Sequence, residues 1–134
     1  VSAAVTTWAL DRIDQRSLPL NGTYVSAGTA AGVTIYIVDT GILAGHLDFG
    51  GRVNEGFDAV GDGLGSSDCN GHGTHVAGLA GGAHFGAASK ATLVPVRVLD
   101  CNGAGSLSNV LAGIDWILAD RQQASGPAVV AVVR

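Results

Sequence analysis

Asp39 and His72 are the residues of this chain best suited to do chemistry together. Asp39 stands in Val38-Asp39-Thr40-Gly41, and His72 in Asn70-Gly71-His72-Gly73-Thr74-His75-Val76-Ala77-Gly78. A carboxylate can hold an imidazole in one tautomer and leave its second nitrogen to take a proton from a hydroxyl. The pair therefore offers the orienting group and the general base of a hydroxyl nucleophile. Glycines at 71 and 73 let backbone and substrate approach the ring closely. The nucleophile itself has no evident place. No serine falls in a Gly-x-Ser-x-Gly elbow, and a helix start explains Ser106 and Ser108 better.

Other residues with chemical potential have plainer readings. His75, three residues after His72, is expected to be a satisfied structural histidine. A zinc site from Cys69, His72 and His75 would be tightly spaced, and Cys-x2-His-x2-His is not a familiar closed site. Asp58, Asp62 and Asp68 allow a calcium loop, but a solvated acidic loop is the simpler expectation. His46 and His84 read as surface or packing residues, and Trp116 as core.

The elements that must position Asp39 and His72 are legible as apolar runs. Val33 to Val38 is β-branched, ends at Asp39 and Gly41, and reads as a buried parallel strand. Gly73 to Gly82 is small and apolar and predicts a short helix packed close to a sheet. Thr92 to Val98 reads as a second strand, although Pro95 suits a strand edge or irregularity better. Leu107, Val110, Leu111, Ile114, Ile117 and Leu118 recur at helical spacing over 106–124, with Ser106 or Ser108 as cap. Ala128 to Val133 reads as a third apolar strand, and Gly61 to Asp68 as a flexible loop. Strand, helix, strand, helix, strand argues for an α/β fold: a parallel sheet with helices on its faces. A parallel strand needs cover on both faces. The fold is therefore expected to be incomplete at the C-terminus.

Composition narrows the class. The chain has 134 residues, 13% of them charged, and 21 glycines. Ordinary domains carry roughly 25% charge and roughly 7% glycine. A net charge of −4 with scattered Lys and Arg argues against a nucleic-acid partner, and no apolar run approaches a membrane span. Val1 to Thr7 is too short and mixed for a signal peptide, and reads as a mature N-terminus exposed by processing. Cys69 and Cys101 are the two cysteines. They fit a single disulfide of a secreted protein, closing a loop of about 33 residues worth on the order of 3–4 kcal/mol. Two buried free thiols are the alternative.

At Val-Asp-Thr-Gly and Gly-His-Gly-Thr-His-Val-Ala-Gly the chain resembles the subtilisin-like serine proteases, the subtilases. The resemblance covers nearly the whole chain, and both motifs are highly specific. It is strongest to the proteinase K-like branch, especially its aqualysin-like secreted members. Trp8 to Arg16, Asp68 to His72 and Val96 to Gly103 carry that likeness. It implies that residues 1–134 are the N-terminal part of a single catalytic domain, with Asp39 as triad acid and His72 as triad base. It also implies a Cys69–Cys101 disulfide and secretion.

Two further implications follow from the likeness. Gly103, Ala104 and Gly105 match a segment that takes a bound peptide as an added strand; an ordinary turn before the helix is the plainer alternative. Asp11, Asp14, Gln15, Asn21 and Thr23 match a Ca²⁺ site whose hard oxygen ligands suit the ion; a solvated segment with polar caps is the alternative. No organic cofactor is implied.

The chain departs from the family where the nucleophile should be. It has no Gly-Thr-Ser-Met-Ala segment, and no counterpart of the family's oxyanion Asn. Ala131-Val132-Val133-Arg134 stands where the branch reads Asn-Met-Ser-Leu. The expected function is a secreted serine endopeptidase that acts on protein or peptide substrates, of which this chain holds the Asp and His. The missing C-terminal part is then a partner, and the chain alone is expected to be inactive and poorly soluble. The alternative is an inactive calcium- or peptide-binding remnant, or an assembly half needing a second chain.

Overall fold

The structure is a computed structural model that describes residues 2–4 and 7–132. In chain order the elements are β1 (Ser2–Ala4), α1 (Trp8–Ile13), β2 (Thr23–Val25), β3 (Thr34–Asp39), β4 (Phe57–Asp58), α2 (His72–Gly81), β5 (Thr92–Arg97), α3 (Leu107–Gln123) and β6 (Ala128–Val132). A 3-10 turn, Leu47–Phe49, follows β3. β1 and β2 form a small antiparallel pair. The other strands form one parallel sheet in the order β4-β5-β3-β6.

β3 alternates in the sense a strand covered on both sides requires. Ile35 and Ile37 pack with Ala77 of α2, Leu93 and Phe49. Tyr36 and Val38 pack with Val94, Val96 and Ile117 of α3. The helices therefore cover opposite faces of the sheet. α2 approaches closely because its inward residues are Gly73, Ala77 and Gly81. A Cβ on Gly73 would lie 2.2 Å from the Gly41 carbonyl oxygen.

Pro95 sits inside β5, which has neighbours on both sides. In a parallel pair, alternate residues turn their N–H groups to the same neighbour. The Leu93 N–H goes to the Arg52 carbonyl, so the Pro95 nitrogen faces that side as well. There the neighbour pairs at Val53, breaks, and resumes as β4 opposite Val96. The missing donor falls in the break.

One apolar expectation, the inward face of α3, came out differently. Val110, Ile114 and Ile117 of α3 turn inward, but Leu111 and Leu118 are exposed. β6 pairs along one edge of β3 with Val129, Val130 and Val132 exposed. It is an apolar strand without a cover among the described residues; Val133 and Arg134 lie outside them. Trp116 is half-buried, stacked on Phe57 and edge-on to Tyr36. No helix among the described residues is long and apolar enough to cross a membrane.

Candidate active site

The chain leaves β3 through α2 on one face and leaves β5 through α3 on the other. In open parallel sheets the crevice beyond the carboxyl ends of such strands is where ligands bind. Asp39, the last residue of β3, is fully buried there. His72, the first residue of α2, keeps 52% of its side chain exposed. Its Nδ1 lies 2.9 Å from Asp39 Oδ1 and 2.8 Å from Oδ2. The Thr40 N–H donates to Oδ1 at 2.6 Å. An ionised carboxylate only accepts, so Nδ1 carries the proton and Nε2 is left as an acceptor on the exposed side. The Val98 N–H also donates to the Asp39 main-chain carbonyl at 2.9 Å, which joins the ends of β3 and β5.

Asp68 organises the start of α2. Its Oδ1 accepts from the Asn70 and Gly71 N–H groups, each at 2.9 Å, and from the Thr40 hydroxyl at 2.9 Å. Its Oδ2 accepts from the Thr74 N–H at 2.9 Å and the Thr74 hydroxyl at 2.6 Å. Burial pushes the Asp68 carboxyl up, but the donors at Gly71, Thr74 and Asn70 outweigh it and hold its pKa below the usual range. A carboxylate just ahead of a helix is a recognisable signal for an N-terminal anchor.

Asp58 and Asp62 are neither a calcium loop nor merely solvated. Both turn to Arg97, the last residue of β5, whose side chain is fully buried. Its Nη1 and Nη2 meet the two oxygens of Asp62 at 2.6 and 2.7 Å. That forked bond holds the Asp62 pKa down to about 2 and raises that of Arg97. Nη2 also lies 3.5 Å from Cys69 Sγ. The loop expected to be flexible is thus tied to the sheet. A lone charge in an apolar strand was the signal for Arg97, but nothing in the sequence named its partners.

Cys69 and Cys101 are joined as a disulfide, which settles the choice against free thiols. It also removes the zinc reading, since Cys69 has no thiolate to offer. The bridge ties the segment before His72 to the segment after β5. There Gly103, Ala104 and Gly105 are exposed, and the Asn70 Nδ2 donates to the Cys101 carbonyl at 3.0 Å. Ala104 turns its N–H to Asp100 Oδ1 and its carbonyl to the Asp100 N–H, while the Gly103 N–H goes to the Asp100 carbonyl.

Asp11, Asp14, Gln15, Asn21 and Thr23 are also brought together. Asp11 accepts from the Asn21 and Gly22 N–H groups at 3.2 and 2.6 Å. Asn21 Oδ1 accepts from the Thr23 N–H and hydroxyl at 2.9 and 2.7 Å. Gln15 Oε1 faces the Asn21 N–H at 3.3 Å. Asp14 Oδ2 accepts from the Val25 N–H at 2.6 Å, but its Oδ1 is buried with no hydrogen-bond partner. An unpartnered buried carboxylate oxygen among amide and carboxylate oxygens fits a hard cation.

The remaining histidines serve elsewhere. His46 Nδ1 accepts from the Asp48 N–H at the 3-10 turn, and His84 Nδ1 pairs with Asp48 Oδ1 at 2.6 Å. His75, expected to be a satisfied structural histidine, is exposed and lines an apolar cavity of about 450 Å³ with Leu43, Phe49, Leu79 and Phe85. Ser106 caps α3, accepting from the Asn109 N–H at 3.1 Å.

Residues 30–130 match the model of the subtilase family of peptidases. The chain belongs to the subtilase family. It is 60% identical to an extracellular serine proteinase of Thermus sp. strain Rt41A over 111 residues, 83% of this chain and 27% of that protein. It is 53% identical to alkaline serine exoprotease A of Vibrio alginolyticus over 122 residues, 91% of this chain and 22% of that protein. A crystal structure of a cold-adapted subtilisin-like serine proteinase superposes with a TM-score of 0.87 at 49% identity, covering 96% of this chain and 45% of that one. The subtilase sheet with helices on both faces is therefore the fold. The chain spans 22–27% of the length of these two curated relatives.

Proposed function

We propose that this chain supplies the acid–base pair of a secreted serine endopeptidase and forms the N-terminal part of its single catalytic domain. The observation that carries this is the His72 Nδ1 resting on both oxygens of a buried Asp39. In this reading Asp39 orients the ring and stabilises the imidazolium. His72 Nε2 takes the proton of a serine hydroxyl as it attacks the peptide carbonyl, then delivers it to the leaving amine. The serine and the oxyanion donor come from a segment outside the 134 residues. Without them the pair acts on nothing, because triad members work as a unit.

Substrate orientation falls to Gly103, Ala104 and Gly105. The bonds to Asp100 engage both main-chain groups of Ala104 and the Gly103 N–H. The Gly103 carbonyl and both main-chain groups of Gly105 are then left to a peptide. Alternate residues facing one neighbour are what an added strand requires. A negative protein with no basic cluster suits peptide rather than nucleic-acid substrates. Around Asp11, Asp14, Gln15, Asn21 and Thr23 we infer a structural Ca²⁺ site. The ion would supply positive charge to the Asp11 and Asp14 carboxylates and stiffen the 21–25 segment against α1.

The test is to express the 134 residues alone and together with the remainder of a subtilase domain. A serine-directed phosphonate should label the second piece only in the pair, and His72→Ala should abolish that labelling. Steady, inhibitor-sensitive peptide turnover by the 134 residues alone would sink the proposal.

A further inference from the structure

We propose that Asp68 and Thr40 are positioning residues for His72: together they fix where its imidazole meets Asp39. The inference rests on the acid–base reading of that pair. The first turn of a helix has N–H groups with no partner inside the helix. Here side chains take every one around His72. The Asn70, Gly71 and Thr74 N–H groups go to Asp68. The His72 N–H goes to Asn70 Oδ1 at 3.1 Å. The Gly73 N–H goes to Thr40 Oγ1 at 2.9 Å.

Thr40 is what joins this cap to the carboxylate. It directly follows Asp39, and its partner Gly73 directly follows His72. Its hydroxyl accepts from Gly73 and spends its single hydrogen on Asp68. Two parallel links, 39 to 72 and 40 to 73, therefore cross from β3 to α2. A slide of the helix that lengthens one lengthens the other.

Asp68 receives five hydrogen bonds, three on Oδ1 and two on Oδ2. Both of its oxygens must accept. An asparagine has one oxygen, so its amide N–H₂ would face donors on one side whichever way it turned. Charge and a second acceptor oxygen are both required. The Thr74 hydroxyl passes the restraint on, since it accepts from the Leu43 N–H at 3.0 Å. The segment that follows Asp39 is thereby pinned to α2 at a second point.

A residue that merely stabilises the fold would lower the melting temperature without changing which His72 nitrogen holds the proton. A positioning residue changes the second. The experiment is ¹⁵N-histidine NMR of the 134-residue chain, at a pH where the imidazole is neutral, on wild type, Asp68→Asn, Thr40→Val and Thr40→Ser. The expected result is an Nδ1–H tautomer in the wild type. Its ratio to Nε2–H should fall by about tenfold in Asp68→Asn and Thr40→Val, the size of one lost charge-assisted bond. Thr40→Ser, which keeps the hydroxyl, should restore the ratio to within about twofold. If Asp68→Asn does not fold, the comparison of Val with Ser at position 40 still decides. A lower melting temperature with the wild-type tautomer ratio in Thr40→Val would overturn the inference and leave the protease reading standing. A wild type already in the Nε2–H form would overturn the acid–base reading, and this inference with it.

Discussion

At the scale of single residues, pH tests the charge that Arg97 meets in Asp62. The Asp62 pKa is held down to about 2 by the Arg97 fork. The unfolded value is about 3.9. A depressed carboxylate contributes stability that is fully present above the unfolded value and lost as pH falls through the folded one. We therefore expect stability to drop between about pH 4 and pH 2, and Asp62→Asn to flatten that part of the curve. Denaturant midpoints across the window would check it, and an unchanged slope in the variant would contradict it. Asp39 and His72 were legible as a pair from their motifs. Arg97 with Asp62, and Asp68 with Thr40, were not. Such pairs join residues about 30 positions apart, and sequence spacing does not say which carboxylate a guanidinium or hydroxyl will meet. The same limit applied to His75, whose exposure depends on what packs over α2.

At the level of elements, strand β3 and helices α2 and α3 were legible within one or two residues, because period and caps mark them. β1, α1, β2 and β4 were missed. They are short, with three, six, three and two residues, and no period develops over such lengths. β5 was legible despite Pro95, whose accommodation depends on a break in a neighbouring strand. The glycines of α2 carried a stronger message than its apolar residues did. A methyl at position 73 would strike the Gly41 carbonyl. Gly73→Ala should therefore cost about 1–3 kcal/mol, as overpacking does, and part His72 from Asp39. Chemical denaturation would measure the first effect and the His72 NMR signals the second. A neutral substitution would mean that α2 is free to shift, against the close fit described.

Across the whole molecule, the disulfide is the one covalent link between the approaches to His72 and to Gly103. It spans 32 residues of sequence. Replacing Cys69 and Cys101 together by serine should cost about 3–4 kcal/mol, with the loss largest in the 59–68 loop and the 99–105 turn. Hydrogen exchange would show whether those amides open first. Uniform loss across the sheet would count against a local role. The sequence foresaw that β6 would lack cover, because an apolar strand at the end of a βαβαβ pattern needs neighbours. It did not foresee that Leu111 and Leu118 of α3 would be exposed.

Strand order also sets a clock. β3 lies in the middle of the parallel sheet, yet its flanks arrive late: Thr34 pairs with Thr92 on one side and with Ala128 on the other. Sheets built from such distant pairings fold slowly. During synthesis at roughly 5–20 residues per second, about 90 residues separate β3 from its second neighbour, so one of its edges waits on the order of 5–20 seconds. Over that interval the nascent strand carrying Asp39 needs shelter, and the time at which β6 docks governs how much of the newly made chain escapes aggregation.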